Sequence, residues 1–559
     1  MNIILENIFK NEIDIYDLAD KFYDIRTPFT GLNKPEITYN SWKYSIKHLP
    51  MSIFTSSKYT INYILHLPGD YYKSEDNDNG EKYTFAYYPV YGGEYYLCEY
   101  VKNSKSSCII HINLRDIYTD SLDFISNLIL HIKFMELNKN DTIIICNKKD
   151  ECNRNNLCKA FLKSDAINCN KLNKEIENNK ELDNDKFNIT EINLNNPPKY
   201  SVNFNSLNFK KACEYLPKKW DMIFANILNK IIYFCKTKNF KIHIIQGAVI
   251  QFTLMTTKHP YINLEDLNNI KLTNNYGGIY KKYDEYLAKI YKKNGLQRKI
   301  LKELSKKWYS YNSENSISYN LINLNNVVLN NCMDPIFKEL VKKSKYKKEK
   351  NILLNITHCF GSDSYYVAKS MLKIFGEKLK SFQIIGKAGG IGDKIKLNDY
   401  IITDKLDLSY KNHFINIDND IIHKKTSMNI SSLNINKNLL SGTGKIYKSG
   451  VKTMPCVLFE PIDYLRSIKH EFNAIEMESY WINLGFNNKI PTNYLYYISD
   501  LPLEKSLAFE IYPVEEGQSL FNGLIRIAFD WLNHHIINKN ISKTKKIIHI
   551  KKHFSIKKK

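Results

Sequence analysis

The chain has no cysteine framework. Its 11 Cys are scattered through 559 residues, and Cys146, Cys152 and Cys158 stand six apart with Cys169 beyond. No CxxC pair exists, so a zinc ribbon or finger is not expected and no metal is called for. An odd number of Cys fits a reducing compartment better than a disulfide scaffold. Long apolar runs are missing too, since no window reaches the roughly 18 residues that a membrane span needs. The opening stretch MNIILENIFKNEIDIYD has acids where an export signal has its apolar core. The expectations are no membrane partner and a cytoplasmic location. No internal repeat is visible, which argues against a solenoid.

Acids are in deficit. Lys+Arg number 80 against 58 Asp+Glu, a net +22, and such an excess invites a polyanionic partner. Its location removes most of that invitation. Residues 539–559 hold nine Lys and no acid, and residues 342–350 hold six Lys and one Glu, so two short stretches carry +14. Both read as solvated chain, a basic tail and a basic linker. The tail offers Phe554 alone for stacking, so a nucleic-acid partner is not expected. The rest is ordinary for a globular protein, 43% hydrophobic and 25% charged, with enough chain to bury a large core. The length suggests about three domains.

Periodicity places the elements. Residues 62–67, 107–113 and 142–146 read as strands, with Leu122, Ile125, Leu128, Ile132 and Met135 forming the apolar stripe of a helix between the last two. Residues 1–165 are thus an N-terminal α/β region. Residues 166–215, Asn-rich with Pro197-Pro198, read as a linker or loop. Residues 216–340 form a mixed helical region. A helix over 218–235 carries Trp220, Phe224, Ile227 and Ile231 on one face. Residues 240–255 read as a buried strand running on into further apolar structure, and 295–308 as an amphipathic helix. Residues 341–535 form a second α/β unit, with strands at 351–357, 382–385 and 494–498 and helices at 363–375 and 517–532. Residues 536–559 are the tail.

Four motifs in that last unit could carry chemistry. In HCFGSDSYYVAKS, a strand runs through a loop into a helix whose free N–H groups would suit an anion. Gly361 permits close approach there, and Ser362 and Ser364 add hydroxyls, although Ser and Asp cap helices of every kind. In IIGKAGGIGDK, Gly386, Gly389, Gly390 and Gly392 follow a strand with Lys387 among them, which reads as a ligand turn or as a crowded turn between strands. In AIEMESYW, Glu476 and Glu478 flank Met477; a carboxylate in an apolar run binds something or lies on the wet face of a helix. In YYISDLPLEKS, Ser499-Asp500 ends a strand, where ligands of α/β sheets bind and where a capping Asp is also at home.

These four motifs, in this order, resemble the nucleoside phosphorylase superfamily, the branch of purine nucleoside and uridine phosphorylases. The resemblance covers about 350–535. It implies a C-terminal phosphorylase-like α/β domain, a central mixed sheet flanked by helices, beside the N-terminal α/β region. It implies that Gly361, Ser362, Ser364, Lys387, Gly389 and Gly390 line a phosphate, and that Met477 and Glu478 hold a ribose. Ser499 and Asp500 would serve the base, with Asp500 the general acid at purine N7. The activity implied is phosphorolysis of a nucleoside, most readily a purine nucleoside, by a pentosyltransferase of purine salvage. Inorganic phosphate would be the co-substrate, with no cofactor, and the family commonly forms homo-oligomers. Two alternatives stay open, a hydrolytic nucleosidase and an inactive ligand-binding or interaction protein of the same fold.

Two departures bear on the choice. The phosphorylases carry an Arg just before the Gly-rich turn and a Ser or Thr within it, where this chain has Ile384 and Lys387. Their first-strand Pro-Gly-Asp is matched only by Pro68-Gly69-Asp70, some 290 residues before the next motif, so the stretch 240–251 is the rival first strand. A fainter resemblance links YGGEYYL and the residues after it to phosphoribosyl-pyrophosphate synthetases, without that family's later catalytic motifs.

Overall fold

The structure, a computed structural model, describes the N-terminal part only as separate strands between residues 12 and 204 and the buried helical residue Leu128. From there it describes most of 206–257, 309–357, 361, 364–408, 427–429, 439–454, 462–504 and 514–537, with Asp284 and Leu287 in addition. Pro68-Gly69-Asp70, Ser362, the expected helix at 295–308 and the tail beyond 537 lie outside the described residues. The N-terminal strands form a six-stranded and a three-stranded sheet. Two of them, Phe187–Asn193 and Ser201–Phe204, fall where the sequence reads as linker.

The larger unit begins well before 341. Helix α1 (Ser206–Cys235) leads into β1 (Phe240–Gln246), α2 (Val249–Thr256), β2 (Tyr309–Glu314) and β3 (Ile317–Asn323). Next come α3 (Pro335–Lys345), β4 (Lys350–Ile356), α4 (Ser364–Phe375), β5 (Leu379–Gly390), β6 (Tyr400–Leu408) and β7 (Ser427–Asn429). The chain closes with β8 (Ile446–Thr453), α5 (Ile462–Ile468), β9 (Ala474–Glu476), α6 (Ser479–Phe486), β10 (Thr492–Asp500) and α7 (Val514–Trp531).

Ten strands make one mixed sheet, ordered β2-β3-β4-β1-β5 and continuing through β9, β8, β6 and β7. Strand β10 pairs with both β5 and β6. The strands β5, β10, β6, β8 and β9 therefore form a closed ring, and closure removes their free edges. Strands β4, β1, β5 and β10 run parallel and are buried on both faces, hence their continuous apolar runs such as Ile352-Leu353-Leu354. Helix α4 packs between α1 and α6 on one side, with Phe224 edge-on to Phe375. Helices α2, α3 and α7 cover the other, where Phe529 meets Phe252 and Phe337.

Three sequence expectations change. The apolar run at 240–255 is not one strand. Gly247 (φ 98°) and Ala248 (φ 49°) turn the chain at Gln246 and start α2. The Gly-rich stretch is not a turn, because β5 continues through Gly386, Lys387, Gly389 and Gly390. The stretch 342–350 is not a linker, because it ends α3, whose Val341 and Ser344 are buried, and opens β4.

A buried charge cluster ties distant segments together. Arg526 of α7 is fully buried and donates to Asp334 at 2.8 Å and to both carboxylate oxygens of Asp284 at 2.6 and 3.0 Å. Asp334 also caps α3 by accepting from Ile336 N–H, and Asn522 donates to Asp284. One guanidinium thus holds two carboxylates from segments about 50 residues apart, a number set by positions 284 and 334. Arg526→Leu leaves those carboxylates buried without their cation. It is expected to cost about 3–5 kcal/mol, read as a fall in the urea midpoint at unchanged slope.

Candidate functional site

The expected site residues converge at the carboxyl ends of the parallel strands β4, β5 and β10, where α/β sheets bind ligands. The convergence starts with two missing side chains on β5. A Cβ on Gly389 would lie 2.9 Å from Pro502 Cγ, 3.1 Å from Ile475 Cγ1 and 3.3 Å from Asp500 Oδ2. A Cβ on Gly390 would lie 2.7 to 2.9 Å from Ile395, Ile498 and Leu501. Gly389 pairs with Ile475 of β9 on one side and, after a register shift, with Asp500 of β10 on the other. These glycines therefore let β9 and β10 close on β5, which gives both of them a packing role.

Strand β9 ends at Glu476, and this carboxylate is saturated. It accepts from Glu478 N–H at 2.7 Å, Ser479 N–H at 2.8 Å, Ser479 Oγ at 3.1 Å and Tyr496 OH at 3.1 Å, and from Thr453 Oγ1. Burial, and then the charge of Glu478, push its pKa up to about 7 against the pull of its donors. With four donors on Oε2 and Thr453 on Oε1, Glu476 serves to hold the strand-to-helix turn. That turn delivers Glu478 to the N-cap of α6, buried, with Met477 partly exposed beside it. Glu478 Oε1 accepts from Gly361 N–H at 3.3 Å, so the first and third motifs touch. Gly361 adopts φ 58°, a left-handed conformation that suits glycine.

Asp500 ends β10. Burial raises its pKa to about 6, opposed by a 2.7 Å hydrogen bond from Ser499 Oγ and by the charge of Lys387. Lys387 itself is exposed on β5, in register with Tyr497, and does not lie inside a turn. Ile384, at or near the position where the phosphorylases carry an Arg, is buried in the sheet. Ser364, the first residue of α4, is fully buried, and its hydroxyl has no hydrogen-bond partner among the described residues. Among the described residues no group of three His, Cys, Asp or Glu is arranged to hold a metal ion, and no helix is long and apolar enough to cross a membrane.

Sequence reasoning missed the crossover after β1. Gly247 N–H donates to Ile356 O at 2.8 Å, and the Asn355 amide donates to Ile245 O and Gly247 O, so this turn stands beside the end of β4. Its only signal was a Gly-Ala pair inside an apolar run.

No protein-family model and no curated protein matches the chain. Some solved structures are similar to it. The 5'-methylthioadenosine/S-adenosyl homocysteine nucleosidase of Campylobacter jejuni is 14% identical, covering 52% of this chain and 96% of that one, with a TM-score of 0.30. Futalosine hydrolase of Helicobacter pylori strain 26695 is 13% identical over 52% and 98% of the two chains, TM-score 0.29. The 5'-methylthioadenosine/S-adenosylhomocysteine nucleosidase of Neisseria meningitidis, in complex with methylthio-immucillin-A, is 11% identical over 52% and 99%, TM-score 0.29.

The Glu476 cage has a pH signature. A carboxyl whose pKa is higher folded than unfolded favours the fold most where both states are protonated, below about 4.5, and that favour is lost as the pH rises toward about 7. The protein is therefore expected to resist urea better at about pH 5 than at about pH 8. Glu476→Gln should shrink that difference in paired unfolding curves.

Proposed function

We propose that the chain cleaves the N-glycosidic bond of a nucleoside, a purine nucleoside by its motifs, with water as the nucleophile. The observation that carries this reading is Asp500. A carboxyl raised to about 6 by burial is half protonated near pH 6 and keeps a protonated fraction at pH 7 that an ordinary Asp lacks, as a general acid needs. Ser499 binds its Oδ1, leaving Oδ2, the oxygen facing the bare Cα of Gly389, to deliver a proton to the leaving base. Glu478 offers a carboxylate to the vicinal hydroxyls of the ribose, and Met477 packs on the sugar. As the bond from the anomeric carbon to the base nitrogen breaks, positive charge grows on the ribose and the nearby carboxylate stabilises it; water then bonds to the anomeric carbon and gives up a proton to solvent, from which Asp500 is reprotonated.

Water is favoured over phosphate by what surrounds the expected anion loop. The Gly361 N–H already faces the Glu478 carboxylate. A phosphate bound there would meet that charge at close range, which costs about 4 kcal/mol per pair of unit charges at 4 Å and an effective dielectric of about 20. Ile384 supplies no guanidinium fork, and Lys387 is an exposed point charge. The buried Ser364 hydroxyl is a neutral donor, suited to a water. The pentosyltransferase expected from the resemblance thus gives way to a hydrolase, with no cofactor required.

A nucleoside panel assayed with and without phosphate tests this. Free base should appear at the same rate in both, with heavy oxygen from labelled water in the released ribose. A strict requirement for phosphate would return the reaction to phosphorolysis. The ratio kcat/KM is expected to fall about tenfold per unit above a pH near 6, as Asp500 loses its proton. Asp500→Asn should remove that limb and lower kcat/KM by about 10²–10⁴.

A further inference from the structure

The end of the sheet opposite the candidate site gathers charge that the sequence leaves scattered. Strands β1, β4, β5 and β10 begin together, with Phe240 beside Lys350, Ile242 beside Leu379 and Phe382 beside Thr492. Four segments therefore enter the sheet at one edge, residues 236–241, 345–350, 376–380 and 487–491. They hold ten Lys against Glu349 and Glu377, a net +8 of the chain's +22. Glu349 is already paired with Lys241. Helices α1, α3, α4 and α6 all end here, and their carbonyl ends contribute about half a negative charge each, roughly −2 together. Neutralising helix ends therefore accounts for a small part of the lysines.

Two large side chains stand out of this basic edge. Tyr346 is 89% exposed between Lys345 and Lys347, and Tyr233 is 86% exposed in the last turn of α1. They belong to adjoining segments, because Lys350 Nζ donates to Cys235 O at 2.6 Å and Asn325 bridges the Ser344 and Lys347 carbonyls to Asn351 N–H. Lysines gathered at one edge, with exposed rings beside them, are the ingredients of a surface that takes phosphates and stacks bases.

We propose that this amino edge of the sheet binds single-stranded nucleic acid. A single strand suits it better than a duplex, because the rings need unpaired bases to stack on. It suits it better than a lipid surface, because the exposed large groups at this edge are two tyrosines with Val328, and among the described residues no aliphatic cluster stands beside them. The surface lies across the sheet from Glu478 and Asp500, so occupancy leaves the candidate site open.

The test uses the full chain and a labelled oligouridylate of about twenty nucleotides, followed by fluorescence anisotropy. The triple variant Lys236→Glu, Lys347→Glu, Lys348→Glu should weaken binding at least about tenfold and flatten the salt slope by about 2, at roughly 0.7 per lost phosphate contact. Tyr233→Ala with Tyr346→Ala should also weaken binding about tenfold while leaving the salt slope unchanged. Both tyrosines are exposed, so this pair carries the test if charge reversal unfolds the protein, which circular dichroism reports. Deleting 539–559 should leave most of the affinity in place. Binding that survives the triple variant, disappears with the tail, or is matched by a duplex of equal length or by phosphatidylserine vesicles overturns the proposal.

Discussion

The close approach of three strands at Gly389 and Gly390 is the constraint on which the rest of the site depends. Any side chain there would overlap Ile475, Ile498, Leu501 or Pro502. Without one, β9 and β10 both reach β5, and the five-stranded ring closes. Closure sets the last residue of β10, Asp500, against β5, and the last residue of β9, Glu476, at the turn into α6. The carboxylates are separated by 24 positions along the chain, from 476 to 500, yet occupy one end of one sheet.

Buried charge does the remaining positioning. Glu476 is enclosed by hydroxyl and backbone donors and shapes the turn that carries Glu478. Arg526 gathers Asp284 and Asp334 beneath the other face. Neither group is cheap to bury, and each is met by enough partners to specify one geometry. The helices give the two ends of the sheet opposite character. The N-terminus of α6, a positive dipole end, lies with Glu478 at the carboxyl ends of the strands, and the negative C-termini of α1, α3, α4 and α6 lie with lysines at the amino ends.

Much of the secondary structure was legible. The strands near 351–357 and 494–498 and the helix near 363–375 are found within a few residues of their expected places, because each has a clear period, while the apolar helix expected over 218–235 ends at Cys235 but starts at Ser206, inside the stretch read as linker. The misreadings share a cause. Local convention makes Gly247-Ala248 in an apolar run a strand interior and the glycines after Ile385 a turn. What a glycine does depends on what packs against it. At Gly247 the answer was a left-handed turn beside β4, and at Gly389 it was the approach of two other strands.

By itself the sequence determined the alternation of strands and helices from 350 onward and the chemistry on offer, a Glu-Met-Glu turn and a strand-ending Ser-Asp, since both are matters of residue type and local period. Only the tertiary structure decided which groups meet. It placed Glu478 on the Gly361 loop, set Lys387 exposed on β5 with its charge acting on Asp500, put β1 into the middle of the sheet, and turned a stretch read as linker into one side of a basic edge. The physical reason is that strand pairing and ring closure join residues more than a hundred positions apart, as Gly361 and Glu478 show, and no local period records such a contact.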